Sequence, residues 1–196
     1  MSAVVFRAED HSYTLDGVRL PSVTQILGRC FDFSKIDLAV LAAKAELGTA
    51  VHIACELDDM NDLVEESVHA KVRPYLKGYR LFKRQKMTNV IATEQVVHNS
   101  LYGYAGKFDL LTEFDGARWL VDWKTPLRIS PAVGLQTAAY VAALPADLAA
   151  GKRIKRAALQ LKDDGTYQLH EFAQPSDHAV FIAFATAHNW IERNLK

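Results

Sequence analysis

Asp109, Asp122 and Lys124 are the residues of this chain whose types and spacing could do chemistry. The segment 104–124 reads YAGKFDLLTEFDGARWLVDWK. Asp115-Gly116 is the favoured dipeptide of a two-residue type I′ hairpin turn. With that loop, Phe114 faces Ala117, Thr112 faces Trp119, Leu110 faces Val121 and Phe108 faces Trp123. This face is almost wholly apolar, which supports the register. The other face pairs Glu113 with Arg118, Leu111 with Leu120 and Asp109 with Asp122. The two aspartates then form a non-hydrogen-bonded pair with Cα atoms about 4.5 Å apart. Like charges directly opposite destabilise a sheet, so replacing either with Ala should relieve the metal-free fold. Such a pair either shares a cation or is exposed and kept apart by twist or a bulge. Lys124, two residues after Asp122, lies on the same face. The set makes a hard oxygen site suited to Mg²⁺ or Mn²⁺, with the Trp123 backbone carbonyl as a further ligand. The lysine is placed to hold an attacking water. That chemistry is phosphodiester hydrolysis by metal-activated water and in-line displacement.

The elements that must position these groups are legible as patterns. Residues 3–20 read as short strands around Asp16-Gly17, and Ser22 after Pro21 reads as the N-cap of a short helix. Residues 35–60 read as a helix with an interruption near Gly48. Residues 67–87 read as a basic helix with Pro74 in its first turn, so its start is expected near 71. NVIATEQVVH at 89–98 is β-branched and reads as a strand. The Ala-rich stretch 131–150 reads as helix. Residues 155–162 and 166–172 form a hairpin around Asp163-Asp164-Gly165, with Leu159 and Leu161 opposite Leu169 and Tyr167. Residues 176–195 close as an amphipathic helix. The expected fold is α/β, a central mixed sheet flanked by helices, in one domain over 1–196.

Composition narrows the function classes. The chain has 196 residues, 49% hydrophobic and 23% charged, which suits an ordinary globular domain with a full core. Two cysteines, Cys30 and Cys55, can build neither a disulfide framework nor an all-cysteine metal site. Residues 1–13 carry acids early and lack a long apolar stretch, unlike a signal peptide, and no run approaches 18 apolar residues. The expected compartment is the cytosol, with no membrane partner. Net charge is zero, so coating of nucleic acid by bulk charge is disfavoured. The charge is nevertheless segregated: six acids and no base from Glu56 to Glu66, then seven bases and no acid from Lys71 to Lys86. Such runs are either solvated faces or, for the basic one, a phosphate-binding surface. Its Lys77, Arg80 and Arg84 are spaced to share one face. GYAGK at 103–107 lacks P-loop spacing, and no GxSxG, HExxH, Rossmann, zinc-finger, homeodomain or RRM pattern occurs.

GKFD at 106–109, DWKT at 122–125 and QTAAY at 136–140 together resemble the PD-(D/E)XK nuclease superfamily. The Gln-x-x-x-Tyr motif, GTAVH at 48–52 and Glu94 in the strand before GKFD are similar to the RecB-like branch. That branch includes RecB-type domains, CRISPR-associated exonucleases and phage exonucleases. The matching motifs span 48–140. Phe108 stands where the family name has Pro, and the cysteines of the iron–sulfur subgroup are absent, so no cluster is expected.

The resemblance implies a restriction-endonuclease-like core and a DNA exonuclease using one or two Mg²⁺ or Mn²⁺ ions. It implies that Asp109, Asp122, His52 and the Trp123 carbonyl hold the ion, and that Lys124 positions the water. Glu94 would bind a second ion or water, or is an ordinary strand-edge acid. Gly48, His52 and Glu56 share a helix face; Gly48 would allow close approach to the sheet, and Glu56 either supports the site or is solvated. The neutral imidazole of His52 would ligate above its unperturbed pKa of about 6.5. Gln136 and Tyr140, at i and i+4, would position the substrate strand, or are a core Tyr and a surface Gln. Thr125 would orient Lys124 or touch a phosphate. Ser22 and Thr24 resemble a segment near the substrate entrance of phage relatives, or simply cap a helix. The remaining histidines, His11 among them, lack ligand spacing and read as structural. A phage or mobile-element setting with a recombination or annealing partner is implied by resemblance. The alternatives are a structure-specific or restriction-type endonuclease, and a non-catalytic nucleic-acid-binding module on the same fold.

Overall fold

The computed structural model describes residues 4–7, 9–30, 37–151 and 153–195. Strands β1 (Val4–Arg7), β2 (Ser12–Leu15) and β3 (Val18–Leu20) form a small antiparallel sheet, with Asp16 and Gly17 at positive φ in the expected turn. Helix α1 (Val23–Ile26) follows, capped by Ser22, whose side chain accepts from Gln25 N–H while the Gln25 side chain accepts from Ser22 N–H. This reciprocal cap satisfies two otherwise orphaned donors.

Helix α2 (Leu38–Met60) is continuous, with Asp37 accepting from the Ala39 and Val40 amides. Residues 35 and 36 lie outside the described residues. The interruption expected at Gly48 does not occur, because one glycine costs a helix only about 1 kcal/mol and the flanking residues are helix formers. Nor is a tight approach what requires it: a Cβ there would sit 3.8 Å from Thr125 Oγ1, an ordinary contact. By length and composition alone α2 could cross a membrane, with an 18-residue window of mean hydropathy 1.4. Its second half instead packs Val51, Ala54 and Cys55 into the core.

Helix α3 (Arg73–Lys86) has Pro74 in its first turn, as the missing N–H allows, and ends in a left-handed cap at Met87. In the acidic run before it, Asp62, Glu65 and Glu66 are exposed, but Asp58 and Asp59 are not on a solvated face. Asp58 binds Arg80 and Lys83, and Asp59 accepts from Lys83 (2.6 Å), Tyr79 (2.6 Å) and Thr93 (3.1 Å). The opposite charges segregated in the sequence thus clamp the end of α2 to α3.

Strands β4 (Asn89–Asn99), β5 (Tyr104–Phe114), β6 (Ala117–Lys124), β7 (Ile154–Leu161) and β8 (Tyr167–Glu171) make one five-stranded sheet in chain order. Only β6 and β7 run parallel, so the sheet is mixed as expected. The β7–β8 register places Leu159 opposite Leu169 and Leu161 opposite Tyr167. Between β6 and β7 the Ala-rich stretch is two helices, α4 (Ala132–Ala143) and α5 (Ala146–Ala149), rather than one. Pro145 lacks the N–H a continuing helix needs and drives Leu144 into an extended conformation (ψ 135°). Helix α6 (Asp177–Asn194) packs on α4.

Side-chain alternation sorts the core into two layers. Leu110, Phe114, Trp119, Val121 and Trp123 face α2 and α3, while Leu111 and Leu120 face α1, α4 and α6. The sheet's second layer therefore carries Asp122 and Lys124 on the α4 side, away from Trp123.

Candidate active site

The β5–β6 hairpin keeps the expected register from Phe114↔Ala117 to Leu110↔Val121 and then opens. Asp109 and Asp122 are therefore not ladder partners, and Phe108 does not oppose Trp123. Phe108 joins the α4-side cluster and Trp123 the α2-side cluster. The reason is electrostatic. Instead of facing another carboxylate, Asp109 Oδ2 accepts a 2.6 Å hydrogen bond from the Trp123 N–H. Asp122, now opposite Ala158 of β7, pairs with Lys124 Nζ at 2.5 Å. The like-charge conflict read from the sequence is thus lessened by separate partners, though Asp109 still raises the Asp122 carboxyl.

His52 of α2 reaches the gap this creates. Its Nε2 lies 3.1 Å from the Trp123 carbonyl oxygen, and its Nδ1 lies 3.4 Å from Glu94 Oε1 and 3.5 Å from Asp109 Oδ1. Glu94 sits in β4 at φ +50°, an uncommon conformation for a residue with a Cβ. The β4–β5 register places it across from Asp109, between Thr93↔Leu110 and Gln95↔Phe108. Its side chain is only 4% exposed. Its Oε1 is buried without a hydrogen bond, while Oε2 is ion-paired with Lys107. Ligand atoms of His52, Glu94 and Asp109 all lie within 4.8 Å of one another. The sequence grouped His52 with Asp109 and Asp122 and held Glu94 apart; the fold brings Glu94 into the cluster, and Asp122 turns to Lys124. The Trp123 carbonyl faces His52 Nε2, so it can orient the imidazole.

These groups line a cavity of about 310 Å³. Gln136 and Tyr140 of α4 form another wall, both buried and joined by a 3.1 Å bond from Gln136 Nε2 to Tyr140 Oη. Gly106 is needed here, since a Cβ would come within 2.5 Å of the Tyr140 ring. Ser22 and Thr24, their hydroxyls 3.0 Å apart, line the cavity too, as does Glu56. Thr125 lies behind, beside Gly48 rather than in the lining. Lys107, Tyr13 and His11, to which the sequence assigned no site role, are also in the lining. Lys107 had a usable signal, being two residues before Asp109 on one strand. His11 and Tyr13 had none, because only the packing of the small sheet brings them here. Lys77, Arg80 and Arg84 are not in this lining; Arg80 is held by Asp58 and Glu65, and Arg84 is exposed. Larger grooves at the β5–β6 turn and beside α4 hold no such ligand cluster among the described residues.

The electrostatics follow from burial and opposed charge. For Asp122, burial and then Asp109 push the carboxyl above its usual range against the pull of Lys124. For Asp109, burial is outweighed by His52, Lys124 and the Trp123 N–H, which hold it low. Lys124 stays charged because Asp122 and Asp109 outweigh its burial. For His52, burial is overcome by Asp109 and Glu94, which raise it to about 10. In the metal-free protein the ring is thus cationic at neutral pH, not neutral as its unperturbed pKa of about 6.5 implies. Its charge contributes stability that is whole below about 6.5 and lost as pH rises through about 10. A metal that takes His52 must displace that proton. Titration with Mn²⁺ at pH 7.5, in buffers of differing ionisation enthalpy, is expected to show about one proton released per ion. Unchanged release in His52→Ala would remove His52 from the ligand set.

Carboxylate oxygens and one imidazole suit Mg²⁺ or Mn²⁺, and the orphaned buried Oε1 of Glu94 is the kind of atom that a cation satisfies. A model of the PD-(D/E)XK nuclease superfamily matches residues 37–194. Among curated proteins nothing matches. Of solved structures, the crystal structure of SSO0001 is similar, with a TM-score of 0.45 and 15% identity over 88% of this chain and 76% of that one.

Proposed function

The chain belongs to the PD-(D/E)XK nuclease superfamily, and from that premise we propose a metal-dependent deoxyribonuclease of the RecB-like, phage-exonuclease type. The α/β architecture, a mixed five-stranded sheet flanked by helices, is consistent with the restriction-endonuclease-like fold. The observation that carries the reading is the cluster of His52, Glu94 and Asp109 beside the Asp122–Lys124 pair in one cavity.

His52, Glu94 and Asp109 would hold Mg²⁺ or Mn²⁺. Such an ion supplies a water of lowered pKa and a positive charge at the scissile phosphate. Lys124, held as an ammonium, donates a hydrogen bond to the attacking water and to the charge that develops on phosphate. Asp122 keeps Lys124 in place and, with its raised pKa, is the more basic of the two aspartates. The Trp123 carbonyl accepts from His52 Nε2–H and turns Nδ1 toward the carboxylates. Gln136, Tyr140, Thr24 and Ser22 border the path of the substrate strand.

Two substrates separate the reading from its rivals. Linear duplex should be degraded with Mg²⁺ or Mn²⁺ and left intact in EDTA, while closed circular DNA survives. Cutting of closed circles would make it an endonuclease, and turnover in chelator would remove the metal mechanism.

Phosphate contacts of α3 are checked by salt. Lys77 and Arg84 are expected to contribute, each lowering the log–log salt slope by about 0.9 when replaced by Ala. Arg80→Ala should leave the slope unchanged, because its guanidinium is already bound by Asp58 and Glu65. Salt-titrated binding with an unchanged slope in Lys77→Ala and Arg84→Ala would move the DNA path off this helix.

A further inference from the structure

We propose that Lys107 serves as a built-in second cation, holding Glu94 so that the site takes one divalent ion and not two. This rests on the assignment of His52, Glu94 and Asp109 as ligands.

Both carboxylate oxygens of Glu94 and of Asp109, and one oxygen of Asp122, are engaged. Glu94 Oε1 and Asp109 Oδ1 face His52 Nδ1, at 3.4 and 3.5 Å. The oxygens turned away are taken. Asp109 Oδ2 holds the Trp123 N–H at 2.6 Å, Asp122 Oδ2 holds Lys124 at 2.5 Å, and Glu94 Oε2 holds Lys107. Paired ions in two-metal sites stand about 3.5–4 Å apart and need further carboxylate oxygens to hold the second. Here Lys107 stands on the Glu94 oxygen that would do so.

Lys107 is itself restrained. Its Nζ lies 5.7 Å from the centroid of the Phe6 ring, so the ammonium is placed between a buried carboxylate and an aromatic face. Glu94 is anchored from the other side by its place in β4 at φ +50°. Charge argues the same way. Glu94, Asp109 and Asp122 face two ammonium groups, Lys107 and Lys124. One divalent ion already overbalances the remaining negative charge, and a second would leave a strongly positive site with few ligands. A buried carboxylate that lost its lysine would instead draw in a cation. Lys107 is thus a positioning residue that sets metal stoichiometry.

The test is Mn²⁺ titration of the whole chain without DNA, by calorimetry and by electron paramagnetic resonance. The wild type and Lys107→Arg should bind one ion with an uncoupled manganese spectrum. Lys107→Met should bind two, a doubled stoichiometry with a spin-coupled pair; Lys107→Gln serves if the Met variant does not fold. Two ions in the wild type, or one ion at wild-type affinity in both neutral variants, would overturn the role of Lys107 and leave the ligand set standing. No ion bound by the wild type would overturn the ligand assignment itself.

Discussion

Asp109→Asn and Lys124→Ala are each expected to lower DNA cleavage by roughly 10²–10³-fold or more, the usual cost of removing one charge-stabilising group from a reacting centre. The two should fail differently. Lys124 is within 2.5 Å of Asp122 and outside the His52, Glu94 and Asp109 cluster. Lys124→Ala should therefore retain Mn²⁺ and DNA binding and lose kcat. Asp109→Asn removes a charged ligand and should weaken Mn²⁺ binding directly. Normal Mn²⁺ affinity in Asp109→Asn would show that the ion sits elsewhere. The stability gain expected from relieving two opposed aspartates is replaced by a loss. Asp109 is held low, so it contributes stability above the ordinary carboxylate pKa that is lost as pH falls through its depressed value. Asp109→Ala strands the Trp123 N–H and takes one carboxylate from beside a charged His52, at about 1–3 kcal/mol. Thermal melts of the metal-free variant should fall by about 2–4 °C per kcal/mol.

The largest stability effect is expected at Asp59, which is outside the His52, Glu94 and Asp109 cluster. Its side chain is 2% exposed and accepts from Lys83, Tyr79 and Thr93. Asp59→Ala leaves a phenol and part of an ammonium without their acceptor in the interior. Breaking a buried pair from one side costs about 3–5 kcal/mol, with Lys83 keeping Asp58 as a second partner and so favouring the lower end. A drop of about 6–12 °C in Tm follows from about 3 kcal/mol. Asp59→Asn, which can still accept from Tyr79 and Thr93, should lose less. A shift under 2 °C in Asp59→Ala would mean that Asp59 is on a solvated face after all.

Local rules account for much of what was legible. Asp115-Gly116 and the apolar alternation beside it set the β5–β6 register over five pairs, and Leu159 and Leu161 found their partners for the same reason. Ser22 and Gln25 are an adjacent cap, and Pro74 in the first turn of α3 follows from its missing N–H. The boundary at Pro145 could have been read, since a proline inside an Ala-rich run breaks the helix wherever it falls.

The residue types and their order determined the chemistry: carboxylates at 94, 109 and 122, a lysine at 124 and a histidine one helix away. These are covalent facts, and strand and helix periodicity is enough to put several on common faces. Only the tertiary structure decided which groups meet. Strict alternation placed Asp109 against Asp122, but repulsion between buried charges competes with the ladder, and a backbone N–H, a lysine and a second strand were available to resolve it. Glu94 entered the cluster because a left-handed residue in β4 carries it across from Asp109, and Lys107 came with it. Asp58 and Asp59 found Arg80 and Lys83 once α2 and α3 packed. Such choices depend on long-range competition for partners, and that competition is settled by the assembled core rather than by spacing along the chain.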